Sequence, residues 1–168
     1  MDIKSATQDL HTELENVPFN QRMFRGKQTP LERMNYVLGW QLIFAELDLQ
    51  VPEFLRRSEY INLDLANLKV DGQAPQAAKE YANSIKRSEN TSAHIYLNYM
   101  GFLYGGQIMR KHYPETSCLY TFDDLVYARQ WIRDNHVFDE QQFYVDEVRS
   151  AFKAHIEISK QLDEMHVG

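Results

Sequence analysis

Glycine and proline are scarce in this chain, which has 7 Gly and 5 Pro among its 168 residues. Apolar residues in the longer segments recur with a helical period, and the strict alternation typical of strands is not sustained anywhere. With so few residues that break helices, most of the chain can be helical. The sequence therefore predicts an all-α fold of six to eight helices, and its length fits one domain over residues 1–168.

Residues that start and stop helices divide the chain into segments. Thr29 and Glu32 form a capping box with Pro30 as the first helical residue. The helix that starts there is predicted to reach about Arg57, although Pro52 should end or kink it. The first predicted helix runs from about Asp2 to Asn16, and a short helix ends near Glu89. The remaining predicted helices run from the capping residues Asn90–Ser92 to Tyr113, from Asp123 to Asn135 and from Asp139 to Met165.

Composition and charge exclude several classes of protein. Hydrophobic residues make up 43% and charged residues 25% of the chain, which are ordinary values for a globular domain and not for a disordered one. The formal net charge is −6, from 18 Lys and Arg against 24 Asp and Glu. A net acidic chain is a poor candidate for binding nucleic acid, so we expect no nucleic-acid partner.

The cysteine content and the absence of long apolar runs bear on the compartment. Cys118 is the single cysteine, which excludes an intramolecular disulfide framework and any CxxC metal site. The charged start MDIKSATQDL does not read as a secretory signal, and no stretch of about 18 apolar residues predicts a membrane span. We therefore expect a cytoplasmic protein without a membrane span.

The first predicted helix carries a histidine on its polar side. His11 and Glu15 are one helical turn apart, in a stripe that also contains Lys4 and lies away from the apolar face. A histidine that binds a metal commonly donates its other ring N–H to a carboxylate or carbonyl, and Glu15 is spaced for that role. The other interpretation is a solvated polar face stabilised by a pair of side chains one turn apart.

Three glycines interrupt the predicted helix between Asn90 and Tyr113. Each costs about 1 kcal/mol relative to alanine inside a helix, which suggests a compensating role. Gly101 and Gly105 are one turn apart, so one face of the helix has almost no side chains, and Gly106 follows directly. That bare face fits either a flat ligand lying on the backbone or close packing against another helix.

Two arginines one turn apart form a third unusual pattern. Like charges at this spacing repel modestly unless an anion lies between them. Arg129 and Arg133 are therefore candidates for clamping a carboxylate or phosphate, the alternative being two solvated side chains.

Taken together, these segments resemble the heme oxygenase family, in the same order and over most of the chain. The residues from Lys4 to Glu15 are similar to the family's proximal segment. The run MGFLYGGQ, from Met100 to Gln107, is similar to the distal helix, whose signature is LGDLSGGQ. The resemblance implies that heme is both cofactor and substrate, and that it is opened with molecular oxygen to biliverdin, ferrous iron and carbon monoxide. It also implies an external electron donor such as ferredoxin or a flavoprotein reductase.

The resemblance assigns roles residue by residue. It makes His11 the axial ligand of the heme iron and Glu15 the partner that orients its ring. It places the backbone of Gly101, Gly105 and Gly106 over the macrocycle. The side chains that it places at the heme propionates are Lys4, Tyr96, Arg129 and Arg133.

The distal segment departs from the family pattern. Phe102 stands where the signature has an aspartate, which in the family holds the water that protonates bound oxygen. Asn98 replaces an arginine that supports the same water network, and Tyr104 replaces a small serine. A phenyl ring cannot hold a water, so the departures favour an alternative function, a heme-binding carrier or sensor without ring-opening activity.

Two further classes remain open from the sequence. One is another enzyme on a helical scaffold, such as a non-heme di-iron oxidase or a thiamin-salvage hydrolase. The other is a helical interaction module without a cofactor, which would not bind hemin. The side chains available for a di-iron site are Glu46, Glu147, His155 and His166, and we identify no convincing ligand set among them.

Overall fold

The structure is a computed structural model that describes residues 2–167, and it contains only helices and loops over that range. Eight α-helices are present, which confirms the predicted all-α class and helix number. They are α1 (Ile3–Glu15), α2 (Pro18–Phe24), α3 (Pro30–Leu47), α4 (Ser58–Asn67), α5 (Gln76–Arg87), α6 (Ser92–His112), α7 (Leu125–His136) and α8 (Gln142–Val167). Short 3-10 segments lie at Asp48–Gln50, Glu53–Leu55, Pro114–Thr116 and Cys118–Tyr120.

The capping signals explain several helix starts. The Thr29 hydroxyl accepts a hydrogen bond from the Glu32 N–H at 3.1 Å and the Glu32 carboxylate accepts one from the Thr29 N–H at 3.2 Å, so the predicted capping box is present. The cap of α7 is Asp124, whose carboxylate accepts from the Tyr127 N–H, and not Asp123 as predicted. α8 begins at Gln142, slightly later than a cap at Asp139 predicts.

The largest disagreement with the sequence prediction follows α3, which ends at Leu47 instead of near Arg57. The next residue, Asp48, is buried, and its carboxylate accepts hydrogen bonds from the backbone N–H groups of Arg57 and Ser58. It also accepts one from the Tyr99 hydroxyl of α6 at 2.6 Å. A contact to α6 is a long-range interaction that helical periodicity does not reveal. The bonds turn the chain back and start α4, a helix the sequence did not predict.

α8 packs against α1, α2, α3, α5 and α6, and it holds α1 in place. The apolar face of α1 buries Ile3 and Leu10 in the core. On the outside, the Arg149 guanidinium of α8 donates to both Asp9 carboxylate oxygens at 2.7 and 2.9 Å and to the Ala6 carbonyl at 2.8 Å. The rotation of α1 is thereby fixed, and its polar stripe faces away from the core toward a cavity.

Candidate functional site

A cavity of about 800 Å³ lies between α1 and α6, with α3 and α8 contributing further walls. Its lining is mostly apolar and aromatic, which is the usual character of a small-molecule site. Most of the side chains singled out from the sequence line it, namely Lys4, His11, Glu15, Tyr96, Gly101, Phe102, Gly105, Gly106 and Arg133. Asn98 and Arg129 do not.

His11 offers one free ring nitrogen to this cavity. Its Nδ1 lies 3.3 Å from the Glu15 Oε1, and about half of each side chain is exposed. The Phe152 ring meets the imidazole edge-on, with ring centroids 6.0 Å apart. Among the described residues, no hydrogen-bond partner is present for Nε2. An imidazole with a carboxylate beside one ring nitrogen and no hydrogen-bond partner on the other is suited to binding a metal centre.

The three glycines of α6 have different surroundings. A β-carbon built at Gly101 would have no atom within 4 Å, and one at Gly105 would meet only Phe24 at 3.9 Å. At Gly106 the β-carbon would be 2.7 Å from the Tyr120 ring. The first two glycines leave an open face on the cavity, whereas the third permits close packing against the 3-10 segment at Cys118–Tyr120. The two interpretations of the glycine pattern therefore apply to different residues.

Phe102 makes the neighbouring wall of the cavity apolar. Its side chain is only 2% exposed. The ring packs against Trp40, Phe44 and Tyr120, with centroid distances of 4.7, 4.9 and 5.1 Å. A residue held in this aromatic cluster contributes shape but no hydrogen-bonding group.

The two arginines of α7 have different surroundings. The Arg129 guanidinium lies 4.1 Å from the Tyr104 ring centroid and donates to the Leu103 carbonyl at 2.5 Å. Arg133 donates to the Tyr104 hydroxyl and lines the cavity. The Tyr104 side chain thus contacts both guanidinium groups. The Arg129 guanidinium is directed to the α6 backbone, away from the heme propionates that the resemblance assigned to it. The aromatic side chain at residue 104 is what draws it there.

Asn98 is buried behind the cavity wall, 1% exposed. Its amide nitrogen donates to the His94 carbonyl at 2.8 Å and to the Tyr81 hydroxyl at 2.9 Å. Its amide oxygen lies 2.6 Å from Nε2 of His155, a residue that does line the cavity. Asn98 therefore acts on the cavity only through His155.

His155 lines the cavity, although the sequence analysis considered it only among the side chains available for a di-iron site. Its ring lies against the Trp40 indole, with centroids 5.0 Å apart. Burial and, to a smaller extent, the neighbouring His94 lower the pKa of His155 to about 3. The imidazole is therefore neutral at ordinary pH. Its position in α8, three residues after the buried Phe152, is the sequence signal that indicates an inward-facing side chain.

The four side chains considered for a di-iron site are dispersed. Glu147 contacts His94 and His166 contacts Glu32, while His155 contacts Asn98. Over residues 2–167, no group of three or more His, Cys, Asp or Glu side chains is placed to hold a metal ion. Those four residues do not assemble into one site.

Sequence comparison identifies the family. The family model described as Heme oxygenase matches residues 1–161. The chain belongs to the heme oxygenase family. A curated relative, heme oxygenase 1 from Gallus gallus, is 25% identical over 133 residues, which cover 65% of this chain and 45% of that protein. The chain thus spans less than half the length of this relative.

Solved structures of heme oxygenases have the same fold. Heme oxygenase-2 from the cyanobacterium Synechocystis, in complex with heme and NO, is 22% identical with a TM-score of 0.84, covering 97% of this chain and 84% of that one. Heme oxygenase-1 from the same organism, in complex with heme, is 18% identical with a TM-score of 0.81 and coverages of 98% and 92%. Heme oxygenase from Leptospira interrogans is 19% identical with a TM-score of 0.81 and coverages of 95% and 99%.

The residues of this heme oxygenase family member fit a heme. The open space beside Gly101 leaves room for a flat ring against the α6 backbone. The free Nε2 of His11 supplies a nitrogen donor on a different wall of the same cavity, and Lys4 and Arg133 are exposed cations among its lining residues. An aromatic and apolar interior with cations near solvent matches a macrocycle that carries two carboxylates at one edge.

No helix within the described part of the chain is both long enough and apolar enough to cross a membrane.

Proposed function

We propose that this family member binds heme and opens its ring with molecular oxygen, giving biliverdin, ferrous iron and carbon monoxide. Bound heme supplies both the iron that activates oxygen and the ring that is oxidised. The observation that carries the proposal is the joint presence, in one cavity, of a histidine with a free Nε2 and the bare backbone at Gly101. Nε2 of His11 has no partner among the described residues, and a β-carbon at Gly101 would meet no atom within 4 Å.

His11 is the proposed axial ligand through Nε2. The Glu15 carboxylate lies 3.3 Å from Nδ1, which favours the tautomer with hydrogen on Nδ1 and a lone pair on Nε2. Because both side chains are half exposed, the interaction orients the ring without making it strongly anionic. An imidazole held in this way would be a moderate electron donor to a heme iron bound at Nε2.

Gly101 and Gly105 are proposed to direct the chemistry by shape. With no β-carbon on this face, the α6 backbone can lie directly over the ring and leave only part of the ring edge accessible. Phe102 and Trp40 then close one side with an apolar wall. The side of the ring that stays open determines where it is attacked.

Lys4, Tyr96 and Arg133 are proposed to hold the heme propionates. All three line the cavity, and the two cations are exposed. Charge-assisted hydrogen bonds to carboxylates are stronger than neutral ones and fix the in-plane rotation of the ring. Arg129 is left out of this set because its guanidinium is bound to the α6 backbone.

The partners that follow from this proposal are molecular oxygen and an external electron donor of the ferredoxin or flavoprotein reductase type. Ring opening consumes several electrons, which an external reductant would supply.

Phe102 favours a second candidate, a heme carrier or sensor without turnover. It removes the group that family members place beside the bound oxygen, and its aromatic packing leaves no space for a carboxylate. A carrier would keep the functions of His11, Glu15 and the propionate contacts and would need no hydrogen-bonding group on the distal side.

The test is product analysis. Purified protein is loaded with one equivalent of hemin and supplied with ascorbate and air, with catalase present to remove free peroxide. Ring opening predicts close to one biliverdin and one carbon monoxide per heme, measured by chromatography and by gas analysis. Recovery of intact heme in a tightly bound complex would instead establish the carrier. The control is His11→Ala, which should yield neither enzymatic product.

A further inference from the structure

A chain of buried hydrogen bonds runs from the heme cavity to a second cavity of about 460 Å³ on the other side of α8. It begins at His155, which lines the heme cavity, and passes through Asn98, Tyr81 and His94. It ends at Glu147, whose carboxylate is 3.1 Å from Nε2 of His94 and whose side chain is 32% exposed. Four of the five side chains are buried polar groups.

The direction of every bond in this chain is fixed by one carbonyl. The Asn98 amide nitrogen lies 2.8 Å from the His94 carbonyl oxygen, which can only accept a hydrogen bond. The amide orientation is therefore determined, and the Asn98 oxygen can only accept from His155. Nε2 of His155 must then carry its hydrogen.

The same reasoning continues outward. The second N–H of the Asn98 amide donates to the Tyr81 hydroxyl, so that hydroxyl directs its own hydrogen to Nδ1 of His94 at 2.9 Å. Nε2 of His94 then carries the hydrogen and donates to Glu147. Burial lowers the pKa of His94 and raises that of Tyr81, so both groups stay neutral at ordinary pH.

The consequence for the heme cavity lies at the other nitrogen of His155. A neutral imidazole with hydrogen on Nε2 has a lone pair on Nδ1. No described residue forms a hydrogen bond with that nitrogen, and His155 is one of the residues that line the cavity beside α6.

We propose that His155 is the distal hydrogen-bond acceptor of this protein, holding a water through Nδ1, and that Asn98, oriented by the His94 carbonyl, is the positioning residue that fixes its tautomer. His155 and Phe102 both pack against the Trp40 ring, at centroid distances of 5.0 and 4.7 Å, so the acceptor lies beside the apolar wall. The assignment of a role for that water in ring opening rests on the proposed function.

The first test needs no heme. In protein labelled with ¹⁵N-histidine, two-bond ¹H–¹⁵N correlation spectra report which ring nitrogen is protonated. We expect hydrogen on Nε2 of both His155 and His94 near neutral pH. Glu147→Gln and Glu147→Leu should both leave hydrogen on Nε2 of His155, because the Asn98 amide and not Glu147 sets that tautomer. Hydrogen on Nδ1 of His155, or an even mixture of tautomers, in the unmodified protein would overturn the proposal.

The second test separates this role from heme binding. His155→Phe keeps an aromatic ring against Trp40 and removes the acceptor nitrogen. We expect hemin affinity within about threefold of the original, and a bile-pigment yield lower by about tenfold, the effect of one lost hydrogen bond. His155→Gln, which keeps an acceptor oxygen, should recover part of the yield.

The outcomes distinguish the two proposals. An undiminished pigment yield in His155→Phe overturns the role of His155 and leaves the proposed function intact. If the unmodified protein binds hemin but forms no pigment, the proposed function fails, and the tautomer measurement alone decides whether His155 is a fixed acceptor.

Discussion

Gly106 lies so close to Tyr120 that a β-carbon on the glycine would stand 2.7 Å from the tyrosine ring. Tyr120 is almost fully buried and packs against Phe102, with ring centroids 5.1 Å apart, so it has little room to move. This contact holds the segment after α6 against the helix that carries the distal glycines. Packing thus explains Gly106, whereas the cavity explains Gly101 and the directly preceding Gly105.

Gly106→Ala is expected to destabilise the protein. Forcing a methyl group into a filled site costs about 1–3 kcal/mol, which exceeds the gain of about 1 kcal/mol in helix propensity. We predict a free energy of unfolding lower by about 1 kcal/mol, measured by urea denaturation followed by circular dichroism. An unchanged or higher stability would show that Tyr120 yields without cost.

Gly101→Ala is the matched comparison, because a β-carbon there meets no atom within 4 Å. The substitution should raise the free energy of unfolding by about 0.5–1 kcal/mol through helix propensity alone. It should weaken hemin binding, since the methyl group occupies the open face of the cavity. Hemin titration followed at the Soret band measures this effect, and an affinity equal to that of the original protein would contradict the place we give to the ring.

His11→Ala should abolish the absorbance spectrum of a histidine-bound hemin while leaving stability within about 0.5 kcal/mol, as expected for an exposed side chain. Added imidazole should restore the spectrum because it fills the space left by the side chain. His112→Gln serves as the control, since His112 does not line the cavity. A normal spectrum in His11→Ala would remove this residue as the ligand.

Arg133→Met should change hemin affinity, whereas Arg129→Met should change stability. Arg133 lines the cavity, so its loss should weaken hemin binding by about tenfold at low salt, with a smaller effect as salt screens the charge. Arg129 donates to the α6 backbone, so its loss should lower stability and leave hemin affinity within about twofold. Equal losses of hemin affinity in both variants would instead support the interpretation that Arg129 and Arg133 together clamp an anion.

Stability should fall on mild acidification because His155 is buried and neutral. The unfolded chain protonates it near pH 6.5, whereas the folded protein does so only near pH 3. The unfolded state therefore binds more protons between these values, and the free energy of unfolding decreases as the pH is lowered from about 6.5 toward 3. Burial lowers the pKa of His94 as well, which adds to the same slope.

His155→Gln tests this dependence. Denaturation at several pH values should give a shallower fall below about pH 6.5 than in the original protein. His112→Gln, a change at an exposed histidine, should leave the slope unchanged. Identical slopes in His155→Gln and the original protein would mean that His155 does not titrate as described.

The sequence was informative wherever local chemistry decides the outcome. The capping box at Thr29 and the stripe carrying His11 and Glu15 both follow from spacing along one helix, and the helix class follows from the same periodicity. Long-range contacts were not accessible in this way. The end of α3 depends on the bond from Tyr99 to Asp48, and the direction of Arg129 depends on the Leu103 carbonyl of another helix.

For a related reason, the sequence predicted only some of the residues that line the candidate site. A resemblance transfers residues by position, so it assigned roles to His11 and to the glycines of α6, which line the cavity, and also to Asn98, which does not. The side chain of Asn98 instead faces Tyr81 and His155, two residues from other helices. Only the packed structure reveals that an amide on α6 fixes the hydrogen position of an imidazole on α8.

The central claim is that this chain opens heme although Phe102 provides no distal carboxylate. A single-turnover absorbance experiment tests it most directly: the hemin complex is given reductant and air, with catalase present, and the Soret band is followed over time. We predict loss of that band together with a broad red absorbance from bile pigment. A Soret band that persists with no pigment formed would contradict the claim and leave a heme-binding protein without turnover.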